Sequence, residues 1–133
     1  MPILGFDYGT QRIGVAIAPD DTNFSLPLTT IDGSPEEQWE QLDVLIKKQI
    51  PRLLVVGLPY TMQGVEGEQA ALVREFTAKL FERYAVPVEL IDERMSSMEA
   101  QRAGAGDIDA SSAAIILDTY LSKNSGKDDL FDL

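Results

Sequence analysis

The chain has no cysteine and no histidine among its 133 residues. Without thiols there is no disulfide, thiolate nucleophile, iron–sulfur cluster or cysteine zinc site, and without imidazole there is no serine–histidine relay. Any catalysis falls to carboxylates, lysine, tyrosine or hydroxyls, with a hard metal ion as helper. Positive charge is scarce as well: 11 Lys and Arg stand against 22 Asp and Glu, a formal charge of −11. On average such a surface repels nucleic acid. No stretch approaches the roughly twenty apolar residues that span a bilayer. The N-terminus lacks the charged segment and apolar run of a secretion signal. These absences predict a soluble, cytoplasmic protein that does not engage membranes.

The chain nevertheless has ample material for a core, with 44% hydrophobic residues, five Phe, four Tyr and one Trp. Its length suits one domain, expected over residues 1–123, followed by an acidic, flexible tail from Asn124 to Leu133. Short apolar runs at Ile3 to Phe6 and Ile13 to Ala18, separated by Gly9-Thr10-Gln11-Arg12, have the pattern of a β-hairpin. Phe24 to Ile31 supplies a third strand. Ser34-Pro35-Glu36-Glu37 reads as an N-cap, a first-turn proline and a capping-box glutamate. Trp39, Leu42 and Ile46 follow on one helical face, and Pro51 ends that helix.

Leu53 to Val56 is an unbroken apolar run, as expected of a strand covered on both faces, and Gly57-Leu58-Pro59 stops it. From about Glu66 to Tyr84, Val73, Phe76, Leu80 and Tyr84 recur at helical spacing. Val86 to Ile91 forms a fifth strand and Ser96 to Ala103 a short helix. Ile115, Ile116, Tyr120 and Leu121 give a last helix its apolar face. Three strands, then helix, strand, helix, strand and helices describe an α/β fold, a meander feeding two crossovers into a five-stranded mixed sheet.

Ligands of such sheets collect at strand ends. Asp7 ends the first strand, Asp92-Glu93 the fifth, and Asp109 opens the last helix, so three distant acids are placed to converge. Each also has a plainer use. Asp7 could bond turn amides before Gly9, Glu93 could pair with Arg12 or Lys79 on the surface, and Asp109 could cap its helix. Neighbours on a strand face opposite ways, which favours Glu93 as the ligand and Asp92 as its support. Gly57 is either a turn or a place where a substrate backbone comes close. Arg12 and Arg94 either balance local acid or meet phosphate. Ser96, Ser111 and Ser112 read as helix-start hydroxyls in a supporting role, since no base is available to activate them.

The segment Gly5-Phe6-Asp7-Tyr8-Gly9-Thr10-Gln11-Arg12-Ile13-Gly14-Val15-Ala16 resembles the first-hairpin motif of the YqgF/RuvX family. Gly57-Leu58-Pro59 with Gly64, Glu66 and Gly67 is similar to the family's second motif, and Asp92-Glu93-Arg94-Met95-Ser96 to its third. Asp109 with Ser112, Ala113 and Ile115-Ile116-Leu117 resembles the fourth. The resemblance implies a ribonuclease-H-like fold and a divalent metal, Mg²⁺ or Mn²⁺, held by Asp7, Glu93 and Asp109 as catalytic carboxylates. Thr10, Arg12, Gly57 and Arg94 would meet the substrate. The implied role is maturation of the 16S ribosomal RNA precursor or resolution of Holliday junctions, by a monomer or a homodimer, with ribosomal or transcription proteins as further partners.

Two carboxylates about 4 Å apart near a surface repel by about 4 kcal/mol, and a divalent cation reverses that sign. Two-metal hydrolysis of a phosphodiester needs neither histidine nor cysteine. The net charge still predicts weak non-specific affinity and steep dependence on salt and metal. One departure from the family pattern is Asp107, an acid two residues before Asp109 where relatives carry a base. Two other classes remain open: an ATPase domain, whose phosphate loop resembles Asp7-Tyr8-Gly9-Thr10, and a non-catalytic module that meets a basic partner.

Overall fold

Alternation of the N-terminal residues sets the architecture. Ile3–Tyr8 forms β1, in which Leu4 and Phe6 face one side of the sheet and Ile3 and Gly5 the other. The computed structural model describes residues 1–9, 11–59, 67–92 and 108–131, with residues 108 and 124–131 described by backbone only. β2 (Arg12–Ala18) returns antiparallel to β1, and β3 (Leu26–Asp32) returns antiparallel to β2. α1 (Pro35–Gln49) then carries the chain across to β4 (Leu53–Leu58), parallel to β1. α2 (Glu68–Tyr84) leads to β5 (Val88–Asp92), parallel to β4. The order β3-β2-β1-β4-β5 is the expected mixed sheet of a meander and two crossovers.

The helices divide between the two faces. α1 and α2 cover Leu4, Phe6, Ile13, Val15, Leu54 and Val56 with Leu42, Ile46, Val73, Phe76 and Leu80, all buried. The last helix, α3 (Ile108–Phe131), covers Ile3, Ala16, Val55 and Ile91 from the other side. No described helix is long and apolar enough to cross a membrane.

Helix α1 starts as its sequence predicts. Ser34 Oγ accepts from the Glu37 amide and the Glu37 carboxylate accepts from the Ser34 amide, with Pro35 in the first turn. That helix ends on Ile50 in the left-handed conformation, ahead of Pro51.

Several boundaries differ from expectation. Asp7 lies inside β1, and Gly57 and Leu58 belong to β4, paired with Ile91 and Asp92. Backbone pairing outweighs the glycine there, because a strand flanked on both sides gains ladder hydrogen bonds from any residue. β3 begins at Leu26 instead of Phe24, and its Pro27 is tolerated because β3 is an edge strand. α2 begins at Glu68 and β5 at Val88, each two residues later than the pattern suggested. α3 extends through Phe131, past Leu121, the last residue of its expected apolar face. The helix expected over Ser96 to Ala103 lies outside the described residues.

The apolar face of α3 includes Ile116, with Tyr120 and Leu121 packed against the core, and adds several alanines. Ala110, Ala113, Ala114, Ile116 and Leu117 are buried, whereas Ile115, Tyr120 and Leu121 are only half-buried. Small residues here meet small residues on the sheet: a β-carbon added to Gly5 would lie 3.0 Å from Leu117 Cβ and 3.2 Å from the Ala113 carbonyl oxygen. The helix therefore approaches the sheet closely.

Candidate active site

The first hairpin carries the site. Its turn is closed by Gly9, whose amide donates to the Arg12 carbonyl at 2.9 Å. A β-carbon on Gly9 would sit 2.8 Å from that same oxygen, so the turn requires glycine. Two glutamines hold the turn from the helices: Gln69 Nε2 donates to the Tyr8 carbonyl at 3.1 Å and the buried Gln38 Nε2 to the Gln11 carbonyl at 3.2 Å. Tyr8 stacks on Phe76 with 4.4 Å between ring centroids, on the α1–α2 face. Its neighbour Asp7 therefore points to the α3 face, in phase with Ile3 and Gly5.

Asp7 lies in register with Gly14 of β2. Continuing the β1–β4 register beyond Phe6–Val56 sets Asp7 level with Gly57, which is itself paired with Ile91. At this level of the sheet Asp7 is thus flanked by Gly14 on β2 and, by continuation of the register, by Gly57 on β4. The start of α3 closes over the same rung. A β-carbon on Gly14 would lie only 1.8 Å from the Asp109 carbonyl oxygen and 2.9 Å from the Ala110 amide nitrogen. Only the missing side chain of Gly14 lets the first turn of α3 touch β2 there.

Asp109 occupies the first turn of α3, inside the helix and not at its cap. A carboxylate there is favoured by the helix dipole. Its Oδ2 lies 3.2 Å from Arg12 Nε, with the aspartate side chain 30% exposed and the arginine 64%. Arg12 is therefore engaged with Asp109, and Lys79 pairs with Glu75 at 3.3 Å on α2. Ser112, one turn after Asp109, is buried. Asp92 is exposed, and the alternation that points Ile91 into the α3 core places Asp92 on the α1–α2 face, opposite to Asp7.

Asp7, Arg12, Gly57, Asp109 and Ser112 thus gather at the α3 side of one end of the sheet, and Asp92 does not. Thr10, Glu93, Arg94, Ser96 and Asp107 lie outside the described residues. Among the described residues no three His, Cys, Asp or Glu side chains cluster as a metal site. Asp7 and Asp109 place carboxylate oxygens, the donor type a hard divalent cation takes, on one face of the sheet.

Sequence reading passed over Gly14, Gln38 and Gln69. A glycine within an otherwise aliphatic strand is the usual sign of close backbone approach, and Gly14 carries that sign. Gln38 stands four residues before Leu42, on the inward face of α1, where a polar residue must find partners. Gln69 has no such signal.

Known proteins resemble this chain over nearly its whole length. The model of the RuvX family, described as Holliday junction resolvase, matches residues 1–123. A protein of Yersinia pestis (strain Pestoides F), provisionally named pre-16S rRNA nuclease, is 40% identical over 137 residues, covering 93% of this chain and 96% of its own. A protein of the same name from Yersinia pseudotuberculosis serotype O:1b (strain IP 31758) matches equally well. Among solved structures, T. thermophilus RuvC in complex with a Holliday junction substrate aligns with a TM-score of 0.62 at 14% identity, over 95% of this chain and 97% of that one. Fowlpox virus resolvase, in complex with Holliday junction DNA, aligns at 0.55 and 12% identity, over 92% and 98%. The fold is thus that of the resolvases.

Proposed function

The chain belongs to the RuvX family, and from that membership we propose that it is a divalent-metal-dependent nuclease that processes the 5′ end of pre-16S ribosomal RNA. The observation that carries the reading is the contact at Gly14, which sets the first turn of α3, with Asp109, over the rung that bears Asp7. Two carboxylates far apart in the chain are thereby brought to one face of the sheet.

Asp7 and Asp109, joined by Glu93, would hold Mg²⁺ or Mn²⁺, whose chemistry when bound is to activate water and to stabilise the leaving oxygen of a phosphodiester. Glu93 is assigned from the resemblance of Asp92-Glu93-Arg94-Met95-Ser96 to the family's third motif. Gly57 leaves the approach to Asp7 open to a nucleic-acid backbone. Arg12 and Arg94, with the Thr10 hydroxyl, contribute donors to phosphate oxygens. Ser112 supports the carboxylates without touching substrate, whereas Asp92, on the opposite face of the sheet, stands outside that set. The place of action is the cytoplasm, where ribosomal precursors are processed.

The substrate is a precursor RNA on the strength of relatives at 40% identity that cover both chains almost completely. A four-way DNA junction is the second reading, favoured by the description of the family whose model spans residues 1–123. Cleavage of a labelled precursor RNA and of a four-way junction, in Mg²⁺ and then Mn²⁺, separates the two. The wild type is expected to cut the RNA, and Asp7→Asn to cut about a hundredfold more slowly or worse while unfolding at an undiminished temperature. Cutting of the junction alone would transfer the assignment to DNA. Failure of the folded, metal-loaded protein to cut either would leave a binding module.

A further inference from the structure

The Asp109 carboxylate already has a cation, and it belongs to the protein. Arg12 Nε stands 3.2 Å from Asp109 Oδ2. We propose that Arg12 is the resident counter-ion of Asp109 in the metal-free protein and is exchanged for the divalent cation, so that metal loading releases its guanidinium to a phosphate of the substrate. The proposal rests on the metal-dependent nuclease reading above.

The geometry supports an exchange in which the backbone stays still. Arg12 is the first residue of β2, held by the Gly9 amide on its carbonyl and by its register with Asp32. Asp109 is held by the contact of its carbonyl with Gly14. Only the long, mostly exposed arginine side chain is free to turn. Its pairing is of the solvent-exposed kind that contributes little to stability, so it keeps the carboxylate neutralised without locking it. A divalent cation on Asp109 would repel a guanidinium on the same carboxylate, and the displaced planar fork is suited to a phosphate.

Two effects of opposite sign follow from removing this one side chain. Arg12→Gln should bind metal more tightly and nucleic acid more weakly, whereas an arginine that only met phosphate would leave metal affinity alone. Free Mn²⁺ is read by electron paramagnetic resonance during titration of metal-stripped wild type, Arg12→Gln, Asp7→Asn and Arg52→Gln. Arg52 precedes β4 beside Pro2, at the other end of the sheet, and its substitution makes the same change in net charge. Arg12→Gln is expected to raise Mn²⁺ affinity about two- to fivefold, the range set by an exposed ion pair, and Arg52→Gln to change it less. Equal gains in both variants, or no gain in Arg12→Gln, overturn the proposal. Uptake by wild type that Asp7→Asn does not weaken, or no uptake at all, overturns the nuclease reading and the exchange with it.

The release step is tested at saturating Mn²⁺ by fluorescence anisotropy of a labelled, non-hydrolysable oligonucleotide. Arg12→Gln should bind it several-fold more weakly than wild type, and less so in EDTA, where Asp109 holds the arginine in the wild type. Loss that is the same with and without metal, or no loss, overturns the hand-over.

Discussion

Gly14 shows how much of the site depends on a side chain that is not there. Alanine at this position would push its methyl group into the Asp109 carbonyl, 1.8 Å away, and the backbone of α3 would have to move. Gly14→Ala is expected to cost about 1–3 kcal/mol, the usual range for overpacking, and to weaken Mn²⁺ binding because Asp109 moves with its helix. Gly5→Ala is the control, since it presses on Leu117 and Ala113, one to two turns further along α3. Urea unfolding and Mn²⁺ titration of both variants decide the matter. Equal metal affinities in the two would mean that the contact at Gly14 serves packing alone.

Between elements, α1 and α2 are tied across their exposed side by a polar network. Arg83 on α2 donates through Nε and Nη2 to both oxygens of Asp43 on α1, at 2.7 and 2.6 Å, and the Tyr84 hydroxyl donates to Asp43 Oδ1 at 2.6 Å. Arg83 also lies 5.4 Å from the centre of the Trp39 ring. The arginine, and then the tyrosine, hold the Asp43 carboxyl down at about 2, against an ordinary value of 3.8, while burial and the same carboxylate push the Tyr84 hydroxyl up. A depressed carboxylate stabilises the fold above its unfolded value and loses that contribution as pH falls through its folded one. Asp43→Asn is therefore expected to lower the unfolding temperature by a few degrees at neutral pH. That deficit should be constant down to about pH 4 and shrink between 4 and 2. Thermal unfolding of both proteins across this range checks it, and a deficit independent of pH would assign the loss to packing.

For the whole molecule, charge and sheet edge bear on assembly. Each copy carries −11, so two copies repel unless a specific surface overcomes it. The edge strand β3 exposes Leu26 and Leu28, yet Pro27 lacks an amide donor and the register slips between Val15 and Ala16, where a bulge bends the pairing. Both features blunt an edge against pairing with another copy. A single-chain mass is expected by light scattering, consistent with a nuclease that trims RNA. A stable dimer would instead favour the junction, which presents two symmetry-related strands.

Much of this was legible in the amino-acid order because it depends on local periodicity. The capping box at Ser34 and Glu37, the inward stripe of Val73, Phe76 and Leu80, and the unbroken run of Leu53 to Val56 each reflect one element's own geometry. The order of those elements was enough to predict a mixed sheet, and the absence of cysteine and histidine left carboxylates, lysine, tyrosine or hydroxyls for any catalysis. Tertiary structure decided which acids share a face. Asp7 and Asp109 stand more than a hundred residues apart in the chain, and only the close approach of α3 at Gly14 brings them to one rung, with Arg12 on Asp109. Asp92 was set on the opposite face by the phase of β5, which depends on its pairing with Leu58. A strand's period can be read from its own residues, but which of its two faces meets a distant helix is a property of packing alone.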